Sequence, residues 1–109
     1  MWKNLDDLAI IPKKFTICGS NYKVNFVESS EKDLNGALGD FSNLTHEIRI
    51  ALEANVDDSS TMNVPEDELL KTYLHELGHC FNYYYNSENS EEFANAFANF
   101  MYEYLHTKE

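Results

Sequence analysis

One short segment carries residues that could do chemistry together, namely His75-Glu76-Leu77-Gly78-His79. On a helix, residues four apart differ by about 40° in direction and by about 6 Å in height. Both imidazoles can therefore bind one metal ion at about 2.0–2.1 Å, while Glu76 lies beside the ion and can accept a proton from water. This His-Glu-x-x-His spacing on a helix is typical of zinc-dependent peptidases. It predicts a zinc site with Glu76 as the general base.

A third zinc ligand is expected, because two protein ligands hold catalytic zinc poorly. A third histidine six residues after His79 is excluded, since that position is Tyr85. The remaining candidates are Glu91 and Glu92, which follow His79 by 12 and 13 residues. Both would also suit the positive end of a helix without any metal. A short connection would place them near the end of the first helix rather than beside His75, so spacing alone selects neither.

Other reactive side chains have simpler interpretations. Cys18 and Cys80 share no metal-type spacing and are interpreted as free thiols of a reducing compartment. His46 and His106 are interpreted as surface or partly buried histidines. The tyrosines of residues 83–85 are expected to pack, with a hydrogen bond to a tetrahedral oxyanion as the alternative role.

Two helices must position the motif and the candidate third ligand. Pro65 suits a first helical turn, and an apolar series at helical spacing follows to about Tyr85: Leu70, Tyr73, Leu74, Leu77 and Phe81. Residues 86–90 break this helix, and Asn89 or Ser90 can cap a final one. Its predicted apolar stripe consists of Phe93, Phe97, Phe100, Met101 and Tyr104.

The segments before residue 65 predict a small sheet. A short helix within residues 1–11 should stop at Pro12. Extended runs are expected at residues 15–18, 22–27, 36–41 and 46–52, the last as a half-buried antiparallel strand. Residues 28–35 and 54–63 are polar and are interpreted as loops. The outline is a single α+β domain over residues 1–109, with about four strands in an antiparallel or mixed sheet followed by two helices.

Charge excludes several classes of partner. The 109 residues carry 19 acidic and 8 basic side chains, for a formal charge of −11. Such a chain repels nucleic acids and anionic membranes, so neither is an expected partner. The beginning of the sequence is acidic rather than basic and then apolar, and the longest apolar run is only Leu8–Ile11. We therefore expect a cytoplasmic protein with no signal peptide and no membrane span.

The run E-E-F-A-N-A-F-A over residues 91–98 resembles the E-x-x-A-N-x-F-A run of the ImmA/IrrE-type metallopeptidases. Together with the His75 to His79 motif, the likeness covers residues 70–105 and extends to minimal gluzincin-like proteins of phages and mobile elements. It implies a zincin-like fold, Glu91 as the third zinc ligand, and Asn95 as a hydrogen-bond partner near the ligands. The family analogy also implies a protein substrate, such as a transcriptional repressor.

Three functions remain open at this point. The first is a zinc endopeptidase, in which the substrate pairs with an edge strand at residues 46–52 or 36–41, where Gly36 and Gly39 permit close approach. The second is a weakly active or inactive zinc-binding protein that sequesters a protein partner. The third is a component of a toxin–antitoxin system. The first function requires Glu76, whereas the second does not.

Overall fold

The fold combines a mixed five-stranded sheet with helices, as a computed structural model of residues 7–57, 60–85 and 90–108 shows. The expected α+β class is confirmed, although the sheet has five strands rather than about four. In chain order the elements are α1 (Asp7–Ile10), β1 (Lys14–Ile17), β2 (Ser20–Ser29), α2 (Ser30–Leu34), β3 (Gly39–Ser42), β4 (Glu47–Asn55), β5 (Thr61–Asn63), α3 (Glu66–Tyr85) and α4 (Glu91–Thr107). Within the expected helix of residues 1–11, only Asp7–Ile10 is helical, and residues 1–6 lie outside the described part.

The strands are arranged in the order β1-β2-β4-β3, with β5 also paired to β4. Strand β4 is antiparallel to β3 and β5, as expected, but it is parallel to β2. A parallel pair needs a crossover connection, and here α2 and β3 lie between the two strands. The sheet is therefore mixed, one of the two arrangements expected, and the strand expected to be antiparallel is parallel to its β2 neighbour.

Two segments interpreted as loops contain regular structure. Within residues 28–35, β2 continues to Ser29 and helix α2 follows, with the Ser29 hydroxyl accepting a hydrogen bond from the Lys32 backbone N–H. Asn35 ends α2 in the left-handed region at φ 53°. Within residues 54–63, β4 continues to Asn55 and Thr61–Asn63 forms β5. These pieces are short and polar, so hydrophobic periodicity does not reveal them.

The core lies between one face of the sheet and helix α3. Val24, Ile48 and Ile50 form its sheet side, and they are fully or almost fully buried. The alternating pattern fails at the strand ends, where Phe26 and Leu52 are 42% and 41% exposed. Helix α3 contributes the opposing side with Leu69, Leu70, Tyr73 and Leu74. The apolar series predicted for α3 is thus buried up to Leu74, while Phe81 is partly exposed.

Helix α4 packs on α3 through a face that matches the predicted stripe only in part, since Phe93 and Phe97 stack with Phe81 of α3. Its buried side chains include Ala94 and Ala98, whereas Phe100 and Tyr104 are 69% and 52% exposed. Small alanines allow two helices to approach closely, so large side chains are displaced to the flanks of the contact. The predicted start of α4 is correct: the Ser90 hydroxyl accepts a hydrogen bond from the Phe93 backbone N–H and caps the helix.

The closest approach of α3 and α4 is at Gly78. A Cβ atom added there would lie 3.1 Å from the Ala94 Cα atom and 3.3 Å from the Phe97 side chain. Gly78 lies between the two motif histidines, and Ala94 lies three residues after Glu91. This contact therefore brings the first turn of α4 to the level of the motif. No helix in the described ranges is both long and apolar enough to cross a membrane.

Candidate metal centre

Three side chains from α3 and α4 converge at one point. The Nε2 atoms of His75 and His79 lie 3.1 Å apart. Glu91 Oε2 lies 3.1 Å from His75 Nε2, and Glu91 Oε1 lies 2.8 Å from His79 Nε2. The structure thus brings together the three residues predicted as metal ligands. Glu92 is exposed at the next position of α4, where side chains point about 100° away.

Glu91 reaches the motif despite the geometric difficulty anticipated from a short connection. The Gly78–Ala94 contact places the first turn of α4 against the middle of α3. Side chains of a helix also lean toward its N-terminus, so the His79 ring extends toward the level of His75. A glutamate at the very start of α4 is long enough to meet both rings. The two helices approach each other at a glycine, and this approach brings Glu91 within reach of both histidines. Spacing alone does not reveal such an approach.

The donor set fits zinc. A tetrahedral ion with bonds of about 2.0–2.1 Å separates its ligand atoms by roughly 3.3 Å. The two imidazole nitrogens and the carboxylate oxygens are 2.8–3.1 Å apart. Two imidazoles and one carboxylate are also a known catalytic zinc combination, which leaves a fourth position for water or substrate. Side-chain exposure is 21% for His75 and 10% for His79 but 71% for Glu91, so the centre is open to solvent on the Glu91 side.

Glu76 lies beside this centre in a buried position. The atoms that it and the two histidines offer lie within 4.8 Å of one another. Burial is the main cause that raises the pKa of Glu76 to about 7, while the charge of His79 opposes this rise and the negative charges of Asp40 and Glu91 add to it. Its carboxyl group can therefore exchange a proton near neutral pH.

An open cleft of about 420 Å³ leads to the centre. Its walls come from the segment 37–39 that leads into β3, from α3 and from α4, and they include His75, Glu76 and Glu91. Gly39 approaches α3 so closely that a Cβ atom there would lie 2.6 Å from Thr72 Cγ2 and 3.3 Å from Glu76 Cγ. A side chain at this position would obstruct the cleft wall or displace Glu76. Gly36, by contrast, has a φ of 90° and serves the turn after α2.

Asp40 also influences this centre, although nothing in the sequence indicated it. Its carboxylate accepts a hydrogen bond from Arg49 Nε at 2.9 Å and a second one from Arg49 Nη2. The two residues face each other across the β3–β4 ladder. This bidentate pair fixes β3 next to Glu76. Only the cross-strand register could have indicated it, and a register cannot be read from composition.

Asn95 lies on the wall of the same cleft, one helical turn beyond Glu91. The contacts described between His75, His79 and Glu91 do not involve Asn95. Its predicted role as a hydrogen-bond partner of the ligands therefore remains a prediction. The position allows it to contact a bound substrate as readily as a ligand.

The tyrosines after the motif lie at the other end of α3. The Tyr84 hydroxyl is 2.7 Å from the hydroxyl of buried Tyr22, and the Tyr85 hydroxyl is 3.1 Å from Cys18 Sγ. None of residues 83–85 lines the cleft. Tyr84 and Tyr85 therefore contact the β1–β2 hairpin, whereas the Tyr83 ring lies against Phe41 of β3. Cys18 and Cys80 are both free thiols, as predicted.

The remaining histidines lie outside the centre. His46 is exposed and its ring packs on Tyr22. His106, expected at the surface or partly buried, is instead 5% exposed. Its Nε2 atom lies 2.6 Å from Asp7 Oδ1, and its Nδ1 atom lies 2.8 Å from the Tyr102 carbonyl oxygen. A lone histidine near the end of a sequence gives no sign of a partner 99 positions earlier.

Comparison with known proteins gave no match. No family model matches this chain, and neither a curated protein nor a solved structure is similar to it at a significant level. The function must therefore be argued from the site itself.

Proposed function

We propose that this protein is a zinc-dependent endopeptidase with a minimal zincin-like domain. The observation that carries the proposal is the meeting of His75, His79 and Glu91 within 2.8–3.1 Å, next to a buried glutamate in an open cleft. Metal ligands alone would fit a structural site. The additional buried carboxyl group and the open approach are what hydrolysis needs.

His75, His79 and Glu91 would hold the ion. Zinc, when bound, supplies a Lewis acid that acidifies water and polarises a carbonyl group. The two imidazoles and the carboxylate keep one side of the site open, which a closed structural site does not do. Because Glu91 is the only ligand from α4, it also determines how firmly that helix is held to the centre.

Glu76 is the proposed general base. It takes a proton from the attacking water and gives it to the departing amine, so one residue serves both halves of peptide hydrolysis. Its burial against β3 supports this role, because a pKa of about 7 lets the same carboxyl group accept and release a proton near neutral pH. Gly39 keeps β3 close enough to hold the Glu76 side chain in place.

The outer edge of β3 is the proposed docking strand for the substrate. The Ala51 N–H donates to the Leu38 carbonyl oxygen at 2.8 Å, so residues 38, 40 and 42 direct their backbone groups toward β4. Gly39 and Phe41 alternate with them and direct their N–H and carbonyl groups away from β4. An extended peptide could pair with this edge and pass over the centre. This assigns docking to residues 39–42 rather than to β4, which is paired on both sides.

The resemblance of residues 91–98 to the ImmA/IrrE-type run supports the same proposed function. By that analogy the substrate is a protein, such as a transcriptional repressor, and the minimal form belongs to phages or mobile elements. The resemblance also supports Glu91 over Glu92 as the third ligand.

The test compares new protein termini in cells that express the wild type, Glu76→Gln or Glu92→Gln. We expect a set of cleavage sites that depends on the wild type, disappears with Glu76→Gln and persists with Glu92→Gln, which serves as a matched control. Purified wild type and Glu76→Gln should both contain about one zinc ion per chain. Wild-type termini that persist unchanged with Glu76→Gln would overturn the proposed mechanism.

The alternative is a zinc-binding protein that acts by sequestering a partner. In that case no new termini depend on the wild type, and the cellular effect survives Glu76→Gln. The same pair of variants therefore separates the two functions.

A further inference from the structure

A second surface with the features of a binding site lies away from the metal centre, beside strand β2. Its depression is lined by residues of the α1–β1 connection and of β2: Leu8, Ile11, Pro12, Lys13, Lys14, Lys23, Val24, Asn25 and Phe26. We refer to it as the β2-edge surface. It is a shallow depression of about 650 Å³, and none of its lining residues belongs to the centre.

Its charge is opposite to that of the rest of the chain. Acidic side chains outnumber basic ones by 19 to 8 overall, yet the β2-edge surface contains three lysines and no acidic residue. Lys13, Lys14 and Lys23 are all exposed. Even spreading of charge for solubility would not concentrate the basic residues in one place. The surface therefore suits an anionic ligand.

Strand β2 also has an unpaired edge here. Strand β1 pairs only with residues 20–23 of β2, and the last ladder bond on that side runs from the Val24 N–H to the Lys13 carbonyl oxygen at 2.9 Å. The neighbouring Lys23 N–H points the other way, to the His46 carbonyl oxygen. By the alternation of a strand, the backbone groups of Phe26 and Glu28 face the same side as those of Val24. No strand in the described ranges pairs with them there.

Apolar side chains complete the surface. Phe26 is 42% exposed and Leu8 is 40% exposed, and buried Ile11 and Val24 lie between them. An exposed aromatic ring next to an open strand edge offers a pocket for alternate side chains of an added strand. Lysines and a proline also protect sheet edges from aggregation, but that purpose needs no exposed phenylalanine.

We propose that the β2-edge surface binds an extended acidic segment of a protein partner by adding it as a strand next to Phe26–Glu28. The lysines would contact acidic side chains at one end of the segment, and Phe26 would contact an apolar one. Glu28 at the far end would disfavour a further acid there, which fixes the polarity of the segment. The open backbone edge favours a peptide over a nucleic acid, since a polyanion gains nothing from strand pairing and meets the acidic remainder of the chain.

The test is selection of a random peptide library displayed on phage against the full-length protein. We expect enriched peptides with acidic residues at one end and an alternating apolar run at the other. Synthetic copies should bind in fluorescence anisotropy measurements. Lys13→Glu combined with Lys14→Glu should weaken that binding at least tenfold, whereas Lys32→Glu combined with Lys108→Glu, the same change of charge at exposed positions elsewhere, should leave it unchanged.

The strand-pairing part of the proposal is tested by Glu28→Pro, which removes an N–H on the open side of β2 that the ladder to β4 does not use and keeps the Phe26 ring. This variant should abolish binding while circular dichroism shows a folded protein. If it fails to fold, a peptide with N-methylated backbone amides provides the same test on the wild type, and loss of its binding is expected. Enrichment of no acidic family, or binding that survives the lysine changes, would overturn the proposal. Preferential binding of a fluorescent single-stranded oligonucleotide or self-association through this surface would overturn it as well. Proteolysis plays no part in these readouts, so failure of the proposed function would not affect them.

Discussion

Replacing Gly78 with alanine tests how the metal centre is assembled. The new Cβ would lie 3.1 Å from the Ala94 Cα atom, whereas ordinary carbon contacts are about 3.5–4.0 Å. The deficit is therefore about 0.4–0.9 Å. Because the Ala94 Cα atom belongs to the backbone of α4, rotation of a side chain cannot relieve this close contact. Helix α4 must move away from α3, and Glu91 must move with it.

Gly78→Ala should change zinc affinity more strongly than it changes the free energy of unfolding. Metal–ligand distances tolerate errors of only about 0.2 Å, so the displaced Glu91 should bind poorly and zinc affinity should fall at least about tenfold. Alanine improves helix propensity by about 1 kcal/mol, while overpacking costs about 1–3 kcal/mol. The free energy of unfolding without metal should therefore fall by about 1 kcal/mol. Zinc affinity is the more decisive measurement.

Competition with a chromophoric zinc chelator measures the affinity, and urea unfolding measures the stability. Ala96→Gly is the matched control, because this α4 residue is exposed and the change should cost about 1 kcal/mol through helix propensity. It should leave zinc affinity unaltered. Wild-type zinc affinity in Gly78→Ala would refute the reasoning, because the close helix contact would then not be what positions Glu91.

Three further predictions concern single side chains. Glu91→Gln should weaken zinc binding at least about 100-fold in chelator competition, since even indirect partners of metal ligands are worth 10–100-fold, while Glu92→Gln should have no effect. Cys80→Ser should retain zinc, as metal analysis would show, but should lose about 1–3 kcal/mol of stability because a hydroxyl group replaces a buried thiol. Asp7→Asn should lower the free energy of unfolding by about 3 kcal/mol in urea, because it leaves His106 without its buried charged partner. Retained zinc in Glu91→Gln, lost zinc in Cys80→Ser, or unchanged stability of Asp7→Asn would each contradict the corresponding contact.

The sequence predicted the centre well where local geometry decides the outcome. Helical spacing is sufficient to bring His75 and His79 together, and capping chemistry narrowed the start of α4 to Asn89 or Ser90, of which Ser90 is the cap. The third ligand could not be predicted from local geometry. Spacing left Glu91 and Glu92 open, and the choice of Glu91 came from the family resemblance. The contact that brings Glu91 into place is a glycine against an alanine, and neither residue type signals such proximity in a sequence.

The predictions that differ from the structure also have a common physical cause. The stripe predicted for α4 favoured the largest apolar residues, but close helix packing selected small ones, so Phe100 was left exposed. The parallel pairing of β2 with β4 depends on a crossover whose short helix buries only Ser30 and Leu34. Five residues cannot establish a period, and so α2 was interpreted as a loop. Long-range pairing, rather than local propensity, determined each of these features.

The buried contact between Asp7 and His106 has a consequence for the order of folding. It closes a loop of 99 positions, which costs about 4 kcal/mol in chain entropy if nothing else has formed. The sheet and the α3–α4 pair shorten that loop only once they are in place. The contact should therefore form after the rate-limiting barrier, so it slows unfolding and contributes little to the rate of folding. The contact therefore stabilises the protein only late in folding. It prolongs the lifetime of the native state more than it accelerates folding.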